Sequence, residues 1–154
     1  MAELTDCTTY YWREMFLRML FFNEKPPWEE APAYQWTPTE FRVNLHKTSA
    51  IGEGDSFSTQ QADYAGYAGP VSVPRNTATW ALSGGGTANP KLNTLAQIGF
   101  GTASAVQTIY SVSLAIRNGT TNHGIAYDTL SATIDTESGK FLALPVGQFE
   151  VRVR

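Results

Sequence analysis

Short runs of alternating apolar and polar residues recur along this chain and are punctuated by turn-forming residues. In Phe41-Arg42-Val43-Asn44-Leu45-His46, period two puts Phe41, Val43 and Leu45 on one face and Arg42, Asn44 and His46 on the other, the pattern of a half-buried strand. Phe149-Glu150-Val151-Arg152-Val153-Arg154 alternates in the same way, as a closing sheet strand. Between them stand Gly69-Pro70, Gly84-Gly85-Gly86, Asn89-Pro90, Asn118-Gly119 and Ser138-Gly139, each a turn signal. The spacing predicts strands at 41–46, 64–68, 71–74, 78–82, 95–100, 107–117, 124–127, 131–135, 140–144 and 148–153. Many short strands with regular turns predict an all-β fold, a β-sandwich or jelly-roll-like barrel. Asn118-Gly119 is the strongest hairpin signal, since both residues tolerate positive φ. The apolar phase slips at Tyr110, which predicts a bulge there.

One stretch breaks the pattern. Over residues 8–23, Trp12, Met15, Phe16, Met19 and Leu20 fall at helical spacing, with Asp6 or Thr8 placed to cap the start and Asn23 and Pro26-Pro27 to end it. Leu17, Phe21 and Phe22 widen this stripe beyond one face, so the helix packs on its own sheet or gives part of its surface to a neighbouring subunit. Residues 24–40 carry Pro26, Pro27, Pro32 and Pro38 with Trp28, Tyr34 and Trp36, an extended arm whose rings need pockets in this chain or in a partner. The expected organisation is a helix and arm over 1–40 and a β domain over 41–154.

Composition narrows the function. Of 154 residues only 16 % are charged, against 42 % hydrophobic, and the net charge is -3, which supplies no electrostatic reason to bind nucleic acid. A single cysteine, Cys7, leaves no internal disulfide or cysteine metal knuckle. The start Met1-Ala2-Glu3-Leu4-Thr5-Asp6 is acidic, unlike a secretory leader, and the apolar run 10–22 is too short to span a bilayer and is interrupted by Arg13, Glu14 and Arg18. His46 and His123 have no Asp, Glu or Cys at ligand spacing, and Gly52-Glu53-Gly54-Asp55 lacks the ligand order of a calcium loop. Ser83-Gly84-Gly85-Gly86-Thr87 lacks the Lys-Ser/Thr ending of a phosphate loop. No nucleophile-plus-base set stands out, so a protein that acts by binding, without catalytic residues, cofactor or metal, is expected.

The order of segments resembles a family of small structural proteins of tailed bacteriophages described as tail-fibre-like or head-fibre-like. The pieces that carry the resemblance are Phe41-Arg42-Val43-Asn44-Leu45-His46-Lys47-Thr48, Gly52-Glu53-Gly54-Asp55, Tyr64-Ala65-Gly66-Tyr67-Ala68, Asn93-Thr94-Leu95-Ala96-Gln97-Ile98-Gly99-Phe100, Tyr110-Ser111-Val112-Ser113-Leu114 and Gly147-Gln148-Phe149-Glu150-Val151. The resemblance implies a virion component assembled in the bacterial cytoplasm. Its preferred role is a capsid decoration (cement) protein, trimeric, that binds the major capsid protein; the alternative is a tail or fibre module. The residues expected at the interface are Trp12, Phe16, Trp28, Tyr34 and Trp36, with the loop 48–55 as the other candidate docking surface, and neither membrane nor nucleic acid is an expected partner.

Overall fold

The structure, a computed structural model, describes residues 9–25, 40–49, 51, 57–86 and 90–152. Among them the elements are α1 (Tyr10–Phe22), β1 (Glu40–His46), β2 (Val71–Pro74), β3 (Trp80–Ser83), β4 (Lys91–Thr94), β5 (Ile98–Thr102), β6 (Thr108–Asn118), β7 (Thr121–Asp135), β8 (Phe141–Leu144) and β9 (Glu150–Arg152). Every strand pairing is antiparallel. The fold is all-β with one N-terminal helix, as the spacing of the sequence predicts.

The chain divides into two compact units, each assembled from separate stretches. One holds α1 and the sheet β3-β4-β9. Leu17, Phe21 and Trp80 are its most deeply buried large side chains, with Leu92 of β4. The Phe21 and Trp80 rings meet edge-on at 4.8 Å, and Trp80 lies 6.1 Å from Phe149. Burying side chains of this size stabilises by about 1.5–3 kcal/mol each.

The other unit holds the four-stranded sheet β2-β1-β6-β7 and the pair β5-β8, a sandwich-like arrangement of two antiparallel sheets. β1 lies between β2 and β6 and is buried on both faces, with Asn44 and His46 as inaccessible as Val43 and Leu45. The expected polar, solvated face is therefore corrected. The chain after β1 folds back over that face, and Asn44 Nδ2 donates to the Phe57 carbonyl at 2.8 Å.

Residues 64–68 form no strand. The chain turns at Gly66, φ +94°, and lays its backbone on β5, with the Ala68 amide donating to the Phe100 carbonyl at 3.0 Å and the Ser104 amide to the Ala65 carbonyl at 2.8 Å. The approach is so close that a Cβ on Gly66 would sit 1.9 Å from the Thr102 carbonyl oxygen, and one on Gly101, φ +96°, would sit 2.1 Å from the Gly66 oxygen. The expected strand 95–100 corresponds to β5, which starts only at Ile98, and β4 before it is not among the expected strands. After β4 the Leu95 amide donates to the Thr79 carbonyl at 2.7 Å. The strands expected at 124–127 and 131–135 are one, β7, which absorbs extra residues as bulges. The bulge at Tyr110 is present, between the register pairs of Ile109 and Ser111. In the β6–β7 hairpin, Asn118 pairs with Thr121, so the loop is Gly119-Thr120 with Gly119 at φ +60°. Asn118 is the last strand residue and takes no positive φ, because a glycine-first two-residue loop places the demand one position later.

Gly66→Ala and Gly101→Ala should each lower stability by about 2 kcal/mol or more, since the added carbon meets backbone that cannot yield and the φ is left-handed. Gly124→Ala, in open space without a positive φ, should change it by less than about 0.5 kcal/mol. Denaturant midpoints of the three variants check this.

Candidate functional site

Among the described residues, two places gather chemistry-bearing side chains. The first is α1. Thr9 caps its start, its Oγ1 accepting from the Trp12 amide at 3.4 Å, and Asn23 ends it in the left-handed conformation at φ 59°. Thr9 replaces the expected caps Asp6 and Thr8, which lie outside the described residues. Near the C-terminal end, Arg75 Nε donates to the Leu20 carbonyl and Nη2 to the Met19 carbonyl at 2.6 Å, satisfying oxygens that a helix end leaves without internal partners. Along its side, Glu14 accepts from Arg18 Nε at 2.9 Å and from the Gly86 amide at 2.7 Å. The Gly86 amide first, and Arg18 second, hold the Glu14 carboxyl below its usual range. The helix is thus fixed at both ends and along its flank.

This anchoring turns the Leu17–Phe21 side of the helix inward. Leu17 and Phe21 are the fully buried residues, whereas Trp12 is 50 % and Phe16 52 % exposed, beside Tyr11 at 45 %. Met15 and Leu20 are buried at the margins, and Met19 is half-buried. The sequence offers two apolar stripes on one helix. The structure uses the Leu17–Phe21 stripe for the core and leaves the Trp12–Phe16 stripe outward. Of the other residues expected at an interface, Trp28, Tyr34 and Trp36 lie outside the described residues, as does most of the loop 48–55.

The second place is a buried polar cluster behind β1. His46 Nδ1 lies 2.7 Å from the Thr59 carbonyl and Nε2 lies 2.6 Å from Ser113 Oγ. A carbonyl only accepts, so Nδ1 carries the proton and Nε2 accepts from the Ser113 hydroxyl. Tyr67 Oη donates to Asn44 Oδ1 at 2.6 Å and accepts from the Leu45 amide at 3.0 Å. Ser113 with His46 has the geometry of the first two members of a nucleophilic relay. Both are buried, His46 fully and Ser113 at 5 % exposure, so the pair works as a latch that holds residues 57–62 on β1. No local sequence pattern marks it, because the partners lie 13 and 67 positions away. His123 is exposed on β7 and does not join His46. Among the described residues no three His, Cys, Asp or Glu side chains gather as a metal site.

No protein-family model matches the chain, and no curated protein is significantly similar to it.

Burial lowers the His46 pKa, against a smaller opposing effect of the Thr59 carbonyl. The unfolded chain then binds the proton more readily than the folded one below about pH 6.5. The contribution of His46 should be complete above that pH and decline as pH falls from there toward its lowered folded value. Urea midpoints from about pH 7.5 to about pH 5 should show this slope in the parent chain and lose it in His46→Gln, which retains a donor and an acceptor but does not titrate.

Proposed function

We propose that the chain is a non-enzymatic structural protein of a tailed-phage virion, a decoration protein that binds the capsid lattice through the outer face of α1. The observation that carries this reading is that α1 is anchored by its Leu17–Phe21 face while Trp12 and Phe16 stand half in solvent on the opposite one. Large aromatics on a surface whose conformation is already fixed are the residues that dominate interface affinity, because little side-chain or backbone freedom remains to be lost on binding. The order of segments from β1 to β9, which resembles the tail-fibre-like and head-fibre-like proteins, supports the virion setting. The low charge of the chain suits a static contact rather than electrostatic steering.

Capsids purified without this chain, with the recombinant protein added back, provide the test. Trp12→Ala and Phe16→Ala should each weaken co-sedimentation by roughly 2 kcal/mol, about 30-fold in Kd, with the helical circular dichroism retained. Unchanged attachment of the double variant would sink the role of α1. Electron micrographs that place the chain only at the tail tip would replace the capsid reading with the tail or fibre one.

A further inference from the structure

The hairpin of β6 and β7 ends in a reactive dipeptide. Asn118 closes the last rung of the ladder with Thr121, and Gly119 opens the loop. The support around this end is thin. Among the described residues β7 has a strand on one side only, and every residue from 121 to 129 is exposed. The end of such a ladder opens at lower free energy than its middle. Asn118 and Gly119 are themselves exposed, and a Cβ built on Gly119 would meet nothing within 4 Å. Arg117 Nε holds the Gly119 carbonyl at 2.9 Å. Among the described residues, neither the Asn118 side chain nor the Gly119 amide is held by a hydrogen bond.

No other asparagine combines these conditions. Asn118 alone precedes a glycine, and Asn89 precedes a proline, which has no N–H. Asn44 is buried with both ends of its amide bonded, to the Phe57 carbonyl and Tyr67 Oη, and Tyr67 Oη also takes the following Leu45 amide. Asn76 Oδ1 accepts from the Ala78 and Thr79 amides. Asn93 Nδ2 donates to Ser83 Oγ at 3.1 Å, and the next amide, of Thr94, donates to the Phe149 carbonyl at 3.3 Å. The amide after Asn23, of Glu24, donates to the Arg18 carbonyl at 3.4 Å. Asn122 is exposed but lies inside β7 and precedes His123, whose ring crowds the approach that glycine leaves open.

We propose that Asn118 is a site of spontaneous deamidation through a cyclic imide. The Gly119 backbone nitrogen gives up its proton and bonds to Asn118 Cγ, and the side-chain amide leaves with that proton as ammonia. Water then opens the ring and returns a proton to the nitrogen. Addition at Cγ breaks the new bond and leaves aspartate. Addition at the Asn118 main-chain carbonyl breaks the old peptide bond and leaves isoaspartate, with the chain running through the side-chain carbon. Either product makes the net charge of -3 more negative by one unit and sets a carboxylate beside Arg117, whose Nη1 already lies 3.5 Å from Glu40 Oε1. Isoaspartate also adds a carbon to the main chain at the rung with Thr121. The change is independent of capsid attachment, since it needs only the chain and water.

Incubation of the folded full chain in neutral and mildly alkaline buffer reads the outcome, by isoelectric focusing and by mass spectrometry of the tryptic peptide 118–140. An acidic form should accumulate, faster as pH rises because the attacking nitrogen must lose its proton. Fragmentation should place the change at Asn118, leave Asn122 intact and show both aspartate and isoaspartate. Asn118→Gln, whose longer side chain must close a larger and slower ring, should lose the acidic form. A folded chain that stays unconverted while the urea-unfolded chain converts overturns the proposal, because the hairpin then protects its end. So does conversion at Asn122 in place of Asn118, aspartate without isoaspartate, which marks direct hydrolysis, or an acidic form that builds up in Asn118→Gln as fast as in the parent.

Discussion

The Tyr67 hydroxyl sits where β1 loses its second neighbour. β1 is paired to β2 only from Glu40 to Val43, and beyond that point its outer edge would be a buried row of unmet backbone groups. Tyr67 Oη meets the Leu45 amide and Asn44 Oδ1, the Ala62 amide donates to the Leu45 carbonyl at 2.8 Å, and the Lys47 amide donates to the Gln60 carbonyl at 2.9 Å. A strand can be buried on both faces only if this accounting closes. Tyr67 reaches its position because the chain turns at Gly66, and its ring stacks near Phe100 at 6.3 Å. Burial pushes the Tyr67 hydroxyl pKa up and that of Tyr64 up to about 12, so both remain protonated donors at any ordinary pH. The two close glycines, the two tyrosines and the polar side chains of β1 therefore form one unit of cause. Removing the glycine freedom lifts Tyr67, and lifting Tyr67 leaves the β1 edge unmet.

Local signals were legible and non-local ones were not. The helix, its stop at Asn23, the bulge at Tyr110, the hairpin at Gly119 and the long strand before it could all be read, because each is set by residues within a few positions. The choice between two apolar stripes on α1 could not be read that way. Trp12–Phe16 and Leu17–Phe21 are both helical spacings, and Trp80, nearly sixty positions later, decides between them by receiving Phe21. Asn44 and His46 read as solvated for the same reason, since the carbonyls of Phe57 and Thr59 that satisfy them belong to a chain segment with no strand pattern. β4 escaped notice because Leu92 is its one fully buried aliphatic residue and Asn89-Pro90 reads as a turn. Of the expected interface set, the structure describes Trp12 and Phe16 and brings both to the surface of one helix.

The two exposed features differ in what they can contribute to binding. Aromatic rings on α1 offer mainly area, because the burial of apolar surface is non-directional. Their value comes from the rigidity beneath them, where Arg75, Glu14 and the Thr9 and Asn23 caps have already removed the freedom that association would otherwise cost. The edge of β7 offers the reverse. Its backbone groups would fix the direction and register of a pairing strand, but an edge that pairs with no other described strand is hydrated in water, so each bond formed contributes only about 0.5–1.5 kcal/mol. A chain with so few charges has little long-range field to select partners with.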